Sequence, residues 1–441
     1  MVVALALGAL SAACFDSGDR PDRMPPPPPG PVAVDLTQAY QRIDGFGASS
    51  AWTATNISDA LADQFFSPEL GIGLSLLRVQ IKPAGNTAEL GTARKAAARG
   101  AKVWGAPWSP PVAWKTGMDG CGYAGTVQDA YRQDWANRLA SFASTMATEG
   151  IPLAAISAQN EPNYAATAEL GPDGTLDCST GWDSCTYQPA QLVTFIRDFL
   201  GPALAAQGLS VPVMAPETQG WDQFGRYADP LMADSTALGM VGPIAMHHYA
   251  GSPFAYAPAQ AAGKVLWQTE VSDDKQGQPV DQTIDSGLRV AAMIHDNLVN
   301  GNVSAWHYWW LMPAGGGGGN GALTANLTLL PRAYVLGNWS KFVRPGFVRV
   351  AATAESQQYV YSSAFHDPAS GRVVVVAANQ KSNDLQQDFV IAGGTVTALT
   401  PWLTAEGTNL QAQGAVSVVD GKFTAVLPAR SVTTFVGTAT P

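Results

Sequence analysis

The 441-residue sequence has few charged residues and no excess of basic ones. Lys and Arg number 25 against 35 Asp and Glu, the net charge is −10, and charged residues make up only 14% of the chain. A chain without surplus basic residues cannot neutralise a run of phosphates, so a nucleic-acid partner is excluded. The hydrophobic content of 46% predicts a large folded core rather than a disordered chain.

Long apolar runs are missing from the body of the chain, which excludes a membrane-spanning helix there. The N-terminal segment 1–14 is apolar, rich in small residues and ends in Ser-Ala-Ala-Cys. It is typical of an export signal, and two alternatives stay open: ordinary secretion, or a lipoprotein leader with a lipid anchor on Cys14. Segment 15–31 contains five consecutive prolines and is predicted to be an extended linker. Both alternatives predict a location outside the cell or on its outer surface.

Cysteine is scarce, with Cys14, Cys121, Cys178 and Cys185 as the full set. There is no Cys-x-x-Cys pair and no histidine near these residues, so we expect neither a metal site nor a cofactor. Apart from Cys14, three cysteines remain, which leaves one thiol unpaired. Cys178 could close a small loop with Cys185 or could pair with Cys121, and the sequence leaves both pairings open.

A dinucleotide-binding Gly-x-Gly-x-x-Gly is also absent after the first predicted strand, which gives a nucleotide-binding fold little support. The chain instead has short apolar runs separated by amphipathic helical segments. The predicted strands are 42–49, 74–81, 102–108, 153–160, 211–217, 242–249, 264–271 and 303–311. Eight strand–helix units predict an α/β fold, a (β/α)8 TIM barrel spanning 45–342.

After the barrel the pattern changes to short alternating strands. Segment 343–438 predicts a side β-sandwich, and we expect segment 32–44 to contribute a further strand to it. No linker rich in Pro, Gly or Ser separates the two parts at residue 343. The sandwich is therefore predicted to be fixed to the barrel, and a monomer is expected.

The carboxyl ends of barrel strands are where catalytic residues of this fold lie. The fourth predicted strand ends in Asn160 and Glu161, and the seventh ends in Glu270. Glycoside hydrolysis needs one carboxyl group to protonate the leaving oxygen and another to attack the anomeric carbon or activate water. We therefore predict Glu161 and Glu270 as the catalytic pair.

Several longer segments strengthen this interpretation. IDGFGAS, APWSPPVAW, SAQNEPNY, HHYAG, WQTEVS, WHYWW and LPARSVTTFV occur in the order seen in glycoside hydrolase family 30, and the likeness spans about residues 40–437. The sequence most resembles the bacterial glucuronoxylanase branch. The resemblance implies that Glu161 is the acid/base, that Glu270 is the nucleophile, and that hydrolysis of a polysaccharide proceeds with retention.

Other residues near the strand ends are predicted to bind sugar or to support the two carboxyl groups. Asn160 could hydrogen-bond the sugar 2-hydroxyl, while Arg78 and Tyr249 could keep Glu270 ionised. Glu217 is either a second acid or an ion-pair partner. The remaining predicted substrate-binding and supporting residues are Trp52, Trp108, Trp114, Tyr164, His247 and Trp309.

Departures from the family pattern bear on specificity. Glucuronoxylanases of this branch hold the uronate with an Arg after strand eight and aromatic residues after the nucleophile. Here a five-glycine run follows strand eight, and Ser272, Asp273 and Asp274 follow the nucleophile, with Lys275 as the only nearby basic residue. Acidic side chains would repel a uronate. Segment 168–185 is predicted to be an added loop near the acid/base.

The sequence therefore predicts an endo-β-1,4-xylanase without obligatory glucuronate recognition. A family 30 enzyme acting on β-1,6-galactan or β-1,6-glucan stays open as an alternative. A catalytically inactive, carbohydrate-binding surface protein is the alternative from another class, and the presence of both glutamates argues against it.

Overall fold

A computed structural model describes residues 30–273, 280–313 and 321–440. The predicted leader with Cys14 and nearly all of the predicted linker lie outside these ranges, as do Asp274, Lys275 and the five-glycine run. Among the described residues, no helix is both long enough and apolar enough to cross a membrane.

The described strands are named in chain order. They are β1 (Val32–Arg42), β2 (Gly45–Ser49), β3 (Leu76–Ile81), β4 (Lys102–Pro107), β5 (Lys115–Met118), β6 (Ala124–Val127), β7 (Ile156–Ser157), β8 (Glu169–Leu170), β9 (Leu176–Asp177), β10 (Val213–Thr218), β11 (Val241–His247), β12 (Leu266–Glu270), β13 (Ala305–Trp310), β14 (Thr324–Ala325), β15 (Thr328–Leu329), β16 (Val348–Ala352), β17 (Glu355–Gln357), β18 (Val360–His366), β19 (Arg372–Asn379), β20 (Leu385–Ala392), β21 (Thr395–Ala405), β22 (Thr408–Ala412), β23 (Val416–Ser417), β24 (Lys422–Leu427) and β25 (Ser431–Thr440).

The described α-helices are α1 (Asp59–Phe66), α2 (Leu90–Ala97), α3 (Arg132–Thr148), α4 (Pro189–Phe195), α5 (Gly201–Ala206), α6 (Trp221–Ala233), α7 (Ser235–Met240), α8 (Ala257–Ala261), α9 (Ile284–Val299) and α10 (Pro331–Ser340). A π-helical turn at Ile196–Leu200 joins α4 to α5.

Eight parallel strands close into a barrel in the order β2, β3, β4, β7, β10, β11, β12 and β13, and β13 pairs back onto β2. Each overlaps one of the eight predicted strands, so the prediction of a TIM barrel is confirmed. Glycine is needed at Gly47 of β2, because an added Cβ would lie 2.5 Å from the His307 ring and 2.7 Å from the backbone oxygen of Leu76.

Helix α3 packs on the barrel through one apolar face, whereas α10 is buried on nearly all sides. In α3 the fully buried Trp135, Leu139, Phe142 and Met146 follow one another at spacings of four, three and four residues. This spacing places them on one stripe of the helix, as expected for a helix that covers a sheet. A separate buried cluster on the barrel strands includes Leu76, Trp104, Met214 and Trp267 and contributes to the packing of the barrel.

The C-terminal strands form one large sheet that is folded over on itself. Its order is β22, β21, β25, β19, β18, β16, β1, β20 and β24, with β1 antiparallel to β16 and parallel to β20. The Phe435 ring on β25 lies 5.1 Å from Phe389 on β20 and 5.3 Å from Phe423 on β24, measured between centroids. These contacts join opposite ends of the strand order, so the two halves pack face to face as the predicted sandwich.

The sandwich packs on the last helix of the barrel. Trp339 of α10 is 1% exposed and donates from its indole N–H to Ser363 at 3.3 Å. Phe342 packs on Trp402 with ring centroids 5.1 Å apart, and the Asn338 amide donates to Thr434 Oγ1 at 2.9 Å. The apolar core of the barrel therefore continues into one face of the sandwich.

The disulfide joins Cys121 to Cys178, and Cys185 is a buried free thiol. The alternative pairing of Cys178 with Cys185 is therefore wrong. The bond ties the turn between β5 and β6 to segment 168–185, which contains the short β8–β9 hairpin.

Candidate active site

Five barrel strands bring charged side chains together at their carboxyl ends. The residues are Arg78 on β3, Glu161 just after β7, Glu217 on β10, His247 on β11 and Glu270 on β12. All five side chains are buried, with at most 7% of each residue exposed. Buried charged groups are stable only when each has a partner of opposite charge or hydrogen bonds. These five residues are one another's partners and therefore form one cluster.

The two predicted catalytic glutamates face each other within this cluster. One carboxylate oxygen of Glu161, one of Glu270 and a ring nitrogen of His247 all lie within 4.8 Å of one another. Retaining glycosidases hold their carboxyl groups about 5–5.5 Å apart, whereas inverting enzymes need a wider gap for a water molecule. The spacing here therefore suits a retaining mechanism.

Glu270 is held by donors to both of its oxygens. Arg78 Nη1 donates to Oε2, and the Tyr249 hydroxyl donates to Oε1 at 3.0 Å. Donors and a nearby positive charge stabilise the ionised form of a carboxyl group. The structure thus brings Arg78 and Tyr249 onto Glu270, where the sequence predicted them.

Glu161 has a different environment. Burial raises its pKa above the ordinary value, although the hydrogen bond and charge of His247 oppose this shift. His247 Nδ1 lies 3.0 Å from Glu161 Oε1. The backbone of Glu161 is left-handed, with φ at 45°, and its N–H donates to the Glu217 carbonyl oxygen at 3.0 Å. This strained turn places the carboxyl group beside His247.

Glu217 is an ion-pair partner rather than a free acid. Arg78 Nη2 donates to its Oε1 at 2.7 Å, and the Ser157 hydroxyl donates to its Oε2. Burial acts to raise the pKa of Glu217, but the Arg78 charge and the nearby His247 outweigh it and lower the pKa.

His247 lies between three carboxyl groups. Burial lowers its pKa, but the Glu270 charge and the hydrogen bonds to Glu161 and Glu217 outweigh this and raise the pKa to about 9. The imidazole is therefore protonated on both nitrogens at neutral pH, and Nε2 faces Glu217 Oε1 at 3.4 Å. The neighbouring His248 lies beside Asn297 instead, as expected for adjacent residues of a strand.

The charges of this cluster favour a proton on Glu161. Three ionised carboxylates with Arg78 and protonated His247 would leave one uncompensated negative charge in a buried site. A proton on one carboxyl group removes that charge. Because Arg78 pairs with Glu217 and Glu270, Glu161 is the carboxyl group best placed to hold it.

Four tryptophans form a cluster next to Arg78. Trp52 lies 5.0 Å from Trp108 and 5.7 Å from Trp309 between ring centroids, and Trp309 stacks on Trp310 at 4.9 Å. The guanidinium of Arg78 lies 4.5 Å from the Trp108 centroid. Trp52 is 37% exposed and Trp108 only 2%, so Trp52 offers the larger free surface to a sugar.

Two predicted aromatic residues lie outside this cluster. Trp114 stacks on Tyr131 at 5.5 Å and lies under the Arg138 guanidinium at 4.3 Å. Tyr164 stacks on Trp182. Roles in sugar binding for Trp114 and Tyr164 stay predictions. Asn160 does join the cluster, because its Oδ1 accepts from Arg78 Nη2.

The expected repulsion of a uronate by Asp273 is wrong. The Asp273 side chain is 2% exposed and accepts hydrogen bonds from Arg332 at 2.8 Å and from Arg289 at 2.9 Å. It also accepts from Tyr308 and Ser286. Two guanidinium groups neutralise this carboxylate, which anchors the chain after Glu270 rather than meeting an approaching ligand.

The sequence interpretation missed two residues near the site. Glu89 is fully buried and accepts from the backbone N–H of Trp52 at 3.2 Å, which fixes that residue in a left-handed conformation with φ at 62°. Trp182 lies on the added loop beside Tyr164. The position of Trp182 between two cysteines could have indicated it from the sequence. The residues around Glu89 give no such indication.

Residues 88–324 match the family described as the glycosyl hydrolase family 30 TIM-barrel domain. The glucuronoxylanase XynC of Bacillus subtilis strain 168 is 30% identical over 415 residues, which cover 92% of this chain and 91% of that protein.

Solved structures agree with this match. A family 30 subfamily 8 xylanase, Xyn30A from Clostridium acetobutylicum, is 31% identical with a TM-score of 0.80, covering 93% of this chain and all of that one. A GH30 endoxylanase from Clostridium papyrosolvens C71 is 32% identical with a TM-score of 0.78, at the same coverage. The endo-β1,6-glucanase BT3312 is 19% identical with a TM-score of 0.67, which is a likeness of fold alone.

Proposed function

Because this chain belongs to glycoside hydrolase family 30 and is a glycoside hydrolase, we propose that it is a retaining endo-β-1,4-xylanase that does not require a glucuronate side group. The observation that carries the retaining mechanism is the pair of buried carboxyl groups, Glu161 and Glu270, with oxygens within 4.8 Å of each other. The proposed polymer, xylan, is supported by the names of the relatives about 30% identical to this chain.

The first chemical step forms a covalent intermediate. The Glu270 carboxylate attacks the anomeric carbon, the bond from that carbon to the leaving sugar oxygen breaks, and protonated Glu161 donates its proton to that oxygen. Burial, which raises the pKa of Glu161, favours the proton being present before the bond breaks. With Asn160 Oδ1 occupied by Arg78, the Asn160 amide NH2 is the group we expect to bind the sugar 2-hydroxyl.

The second step restores the enzyme. Glu161, now ionised, takes a proton from a water molecule whose oxygen attacks the anomeric carbon, and the ester bond to Glu270 breaks. Glu270 returns to the donors Arg78 and Tyr249, which stabilise it as a leaving carboxylate. Two displacements at one carbon give net retention of configuration.

Independence from glucuronate rests on the residues after β13. The sequence there, Leu311 to Gly321, contains no arginine to pair with a uronate carboxylate. Asp273 does not contribute to this independence from glucuronate, since its charge is neutralised by Arg289 and Arg332. The missing basic partner alone leads us to propose that unsubstituted xylan is cut at least as well as xylan that bears glucuronate.

A panel of defined polysaccharides tests this proposal. The purified protein is incubated with linear xylan, glucuronoxylan, β-1,6-galactan and β-1,6-glucan, and the products are analysed by mass. We expect a ladder of linear xylo-oligosaccharides. Products that end at a fixed distance from every glucuronate would contradict the proposed specificity, and cleavage of only a β-1,6-linked polymer would contradict xylan as the substrate.

We also propose that the protein acts outside the cytoplasm, as the apolar segment 1–14 predicts. The Cys121–Cys178 disulfide supports this proposal, because such bonds persist in oxidising compartments. A polymer too large to enter a cell also has to be cut outside it. Fractionation of expressing cells, with and without Cys14→Ser, would test it: activity confined to the cytoplasm would contradict export.

A further inference from the structure

Two exposed aromatic rings next to Glu161 pack on each other, and the proposed chemistry leaves both unused. Tyr164 is 39% exposed and Trp182 is 38% exposed, and their rings stack at 6.0 Å between centroids with an angle of 18° between planes. Partly exposed Tyr and Trp side chains, which have an apolar ring and a polar edge, suit amphipathic ligands such as sugars.

The position of this pair relates it to the leaving group. The Tyr164 N–H donates to the Glu161 carbonyl oxygen at 3.0 Å, so Tyr164 lies one turn beyond the proposed acid/base. Burial and the Glu161 charge both raise the pKa of Tyr164, in keeping with a hydroxyl near that carboxyl group. An acid/base must touch the oxygen between the two sugars being separated. Tyr164, whose backbone and hydroxyl both lie near Glu161, is therefore placed toward the departing part of the chain.

The tryptophan cluster lies beside Arg78, the residue that donates to the other carboxyl group, Glu270. Trp108 and Trp309 lie 4.5 Å and 5.7 Å from the guanidinium of Arg78, which donates to Glu270. One aromatic surface is therefore associated with the proposed nucleophile and a second with the proposed acid/base. A polymer that crosses the site can contact both.

The loop that carries Trp182 is braced against the rest of the protein. Besides the Cys121–Cys178 disulfide, the Tyr123 hydroxyl donates to the Cys178 carbonyl oxygen at 2.8 Å. Gly181 lies so close to Tyr123 that an added Cβ would be 2.5 Å from its ring. A braced loop presents its aromatic ring with little loss of conformational entropy when a ligand binds.

We propose that Tyr164 and Trp182 form a subsite that stacks on a sugar of the departing, leaving-group side of a xylan chain. This inference rests on the proposed xylanase function. It makes the added loop, segment 168–185, a determinant of how long a substrate must be. Removal of the Trp182 ring then weakens cleavage of chains that extend past the broken bond and spares substrates that do not.

The test compares two substrates in the full-length protein. Xylohexaose extends across the cleavage point, whereas β-xylobiosyl fluoride has a single fluorine atom as its leaving group. We expect Trp182→Ala to lower kcat/KM on xylohexaose about tenfold, the size expected for one lost aromatic contact, and to change it less than about twofold on the fluoride. Trp182→Phe should restore most of the loss.

Tyr40→Ala, at a residue that is 53% exposed on β1, serves as the matched control and should leave both rates unchanged. Equal rates for wild type and Trp182→Ala on xylohexaose, or an equal loss on both substrates, would overturn the subsite while the xylanase function stands. A wild-type protein inactive on both substrates would overturn the proposed function, and the subsite with it.

Discussion

In the proposed mechanism Glu161 carries a proton at the start of the reaction and Glu270 does not, although both side chains are buried. Their partners account for the difference. Glu270 accepts from the Arg78 guanidinium and the Tyr249 hydroxyl, while burial raises the pKa of Glu161. Pairs of carboxyl groups whose surroundings push their protonation apart take opposite roles in glycosidases.

Glu161→Gln tests the role of the acid. The amide cannot donate a proton to the leaving oxygen, so we expect kcat on xylan to fall about 10²- to 10⁴-fold. Cleavage of an aryl xyloside with a good leaving group should retain a near wild-type first step, which a stopped-flow burst of the released phenol measures. Equal losses on both substrates would argue against acid catalysis by Glu161.

His247 makes stability depend on pH. Its pKa in the folded protein, about 9, exceeds the ordinary value of 6.5. The folded state therefore binds this proton more tightly than the unfolded chain. The resulting stabilisation is fully present below about pH 6.5 and is lost as the pH rises through about 9.

His247→Asn removes that titration. We expect the difference in free energy of unfolding between wild type and variant, from urea titrations at pH 6, 7.5 and 9.5, to shrink as the pH rises. Comparing the two proteins at each pH cancels the contributions to stability of the titratable groups that they share. A difference that stays constant or grows as the pH rises would contradict a raised pKa of His247 in the folded protein.

The positions of single residues were predictable where the barrel decides them, while their catalytic roles stay predictions. Glu161 and Glu270 were placed in one site because both follow barrel strands, and Arg78 was expected to contact Glu270 because it also lies on a barrel strand. Asp273 was misjudged because its partners, Arg289 and Arg332, come from α9 and α10. A charge can be neutralised from a distant part of the chain, and no local pattern shows this.

At the scale of elements, the eight barrel strands could be predicted because each apolar run is bounded by turn residues and helices. The fourth is shorter than expected: β7 spans only Ile156–Ser157. The backbone beyond it still bonds to both neighbouring strands: the Asn160 N–H donates to the Pro107 carbonyl oxygen of β4, and the Glu161 N–H donates to the Glu217 carbonyl oxygen of β10. These bonds hold the Glu161 backbone at the edge of the site.

We expect the closed arrangement of the added loop to depend on its disulfide. The Cys121–Cys178 bond closes 57 residues of chain, and its loss should increase opening of segment 168–185. We expect Cys121→Ser with Cys178→Ser to be cut faster by a protease within this segment, measured by mass spectrometry of the fragments. Cys185→Ala is the control, because this thiol is buried and unpaired. Unchanged cleavage rates would show that the other contacts keep segment 168–185 closed without the disulfide.

At the scale of the whole molecule, the barrel core continues into one face of the sandwich, and the sandwich has a second core between its two halves. β1 precedes the barrel, yet it lies in the middle of the sandwich between β16 and β20. The chain thus passes from sandwich to barrel and back again. Alternating strands after residue 343 predicted the sandwich, but its strand order depends on pairings between segments about 300 residues apart.

Truncation after Val343 tests this arrangement. It would remove Trp402 from Phe342 and the strands that flank β1, exposing a large apolar face. We expect the truncated protein to be insoluble or inactive, as judged by centrifugation and by rates on xylan. A soluble barrel with full activity would contradict a shared core.

The central claim, that Glu270 is the nucleophile of a retaining reaction, is tested most directly by trapping the intermediate. A 2-deoxy-2-fluoro-β-xylobioside with a dinitrophenolate leaving group forms the ester and hydrolyses it slowly. Peptide mass mapping of the inactivated wild-type protein should then find one fluoroxylobiosyl group, on Glu270. A label on another residue, or no label on protein that cleaves xylan, would contradict the account.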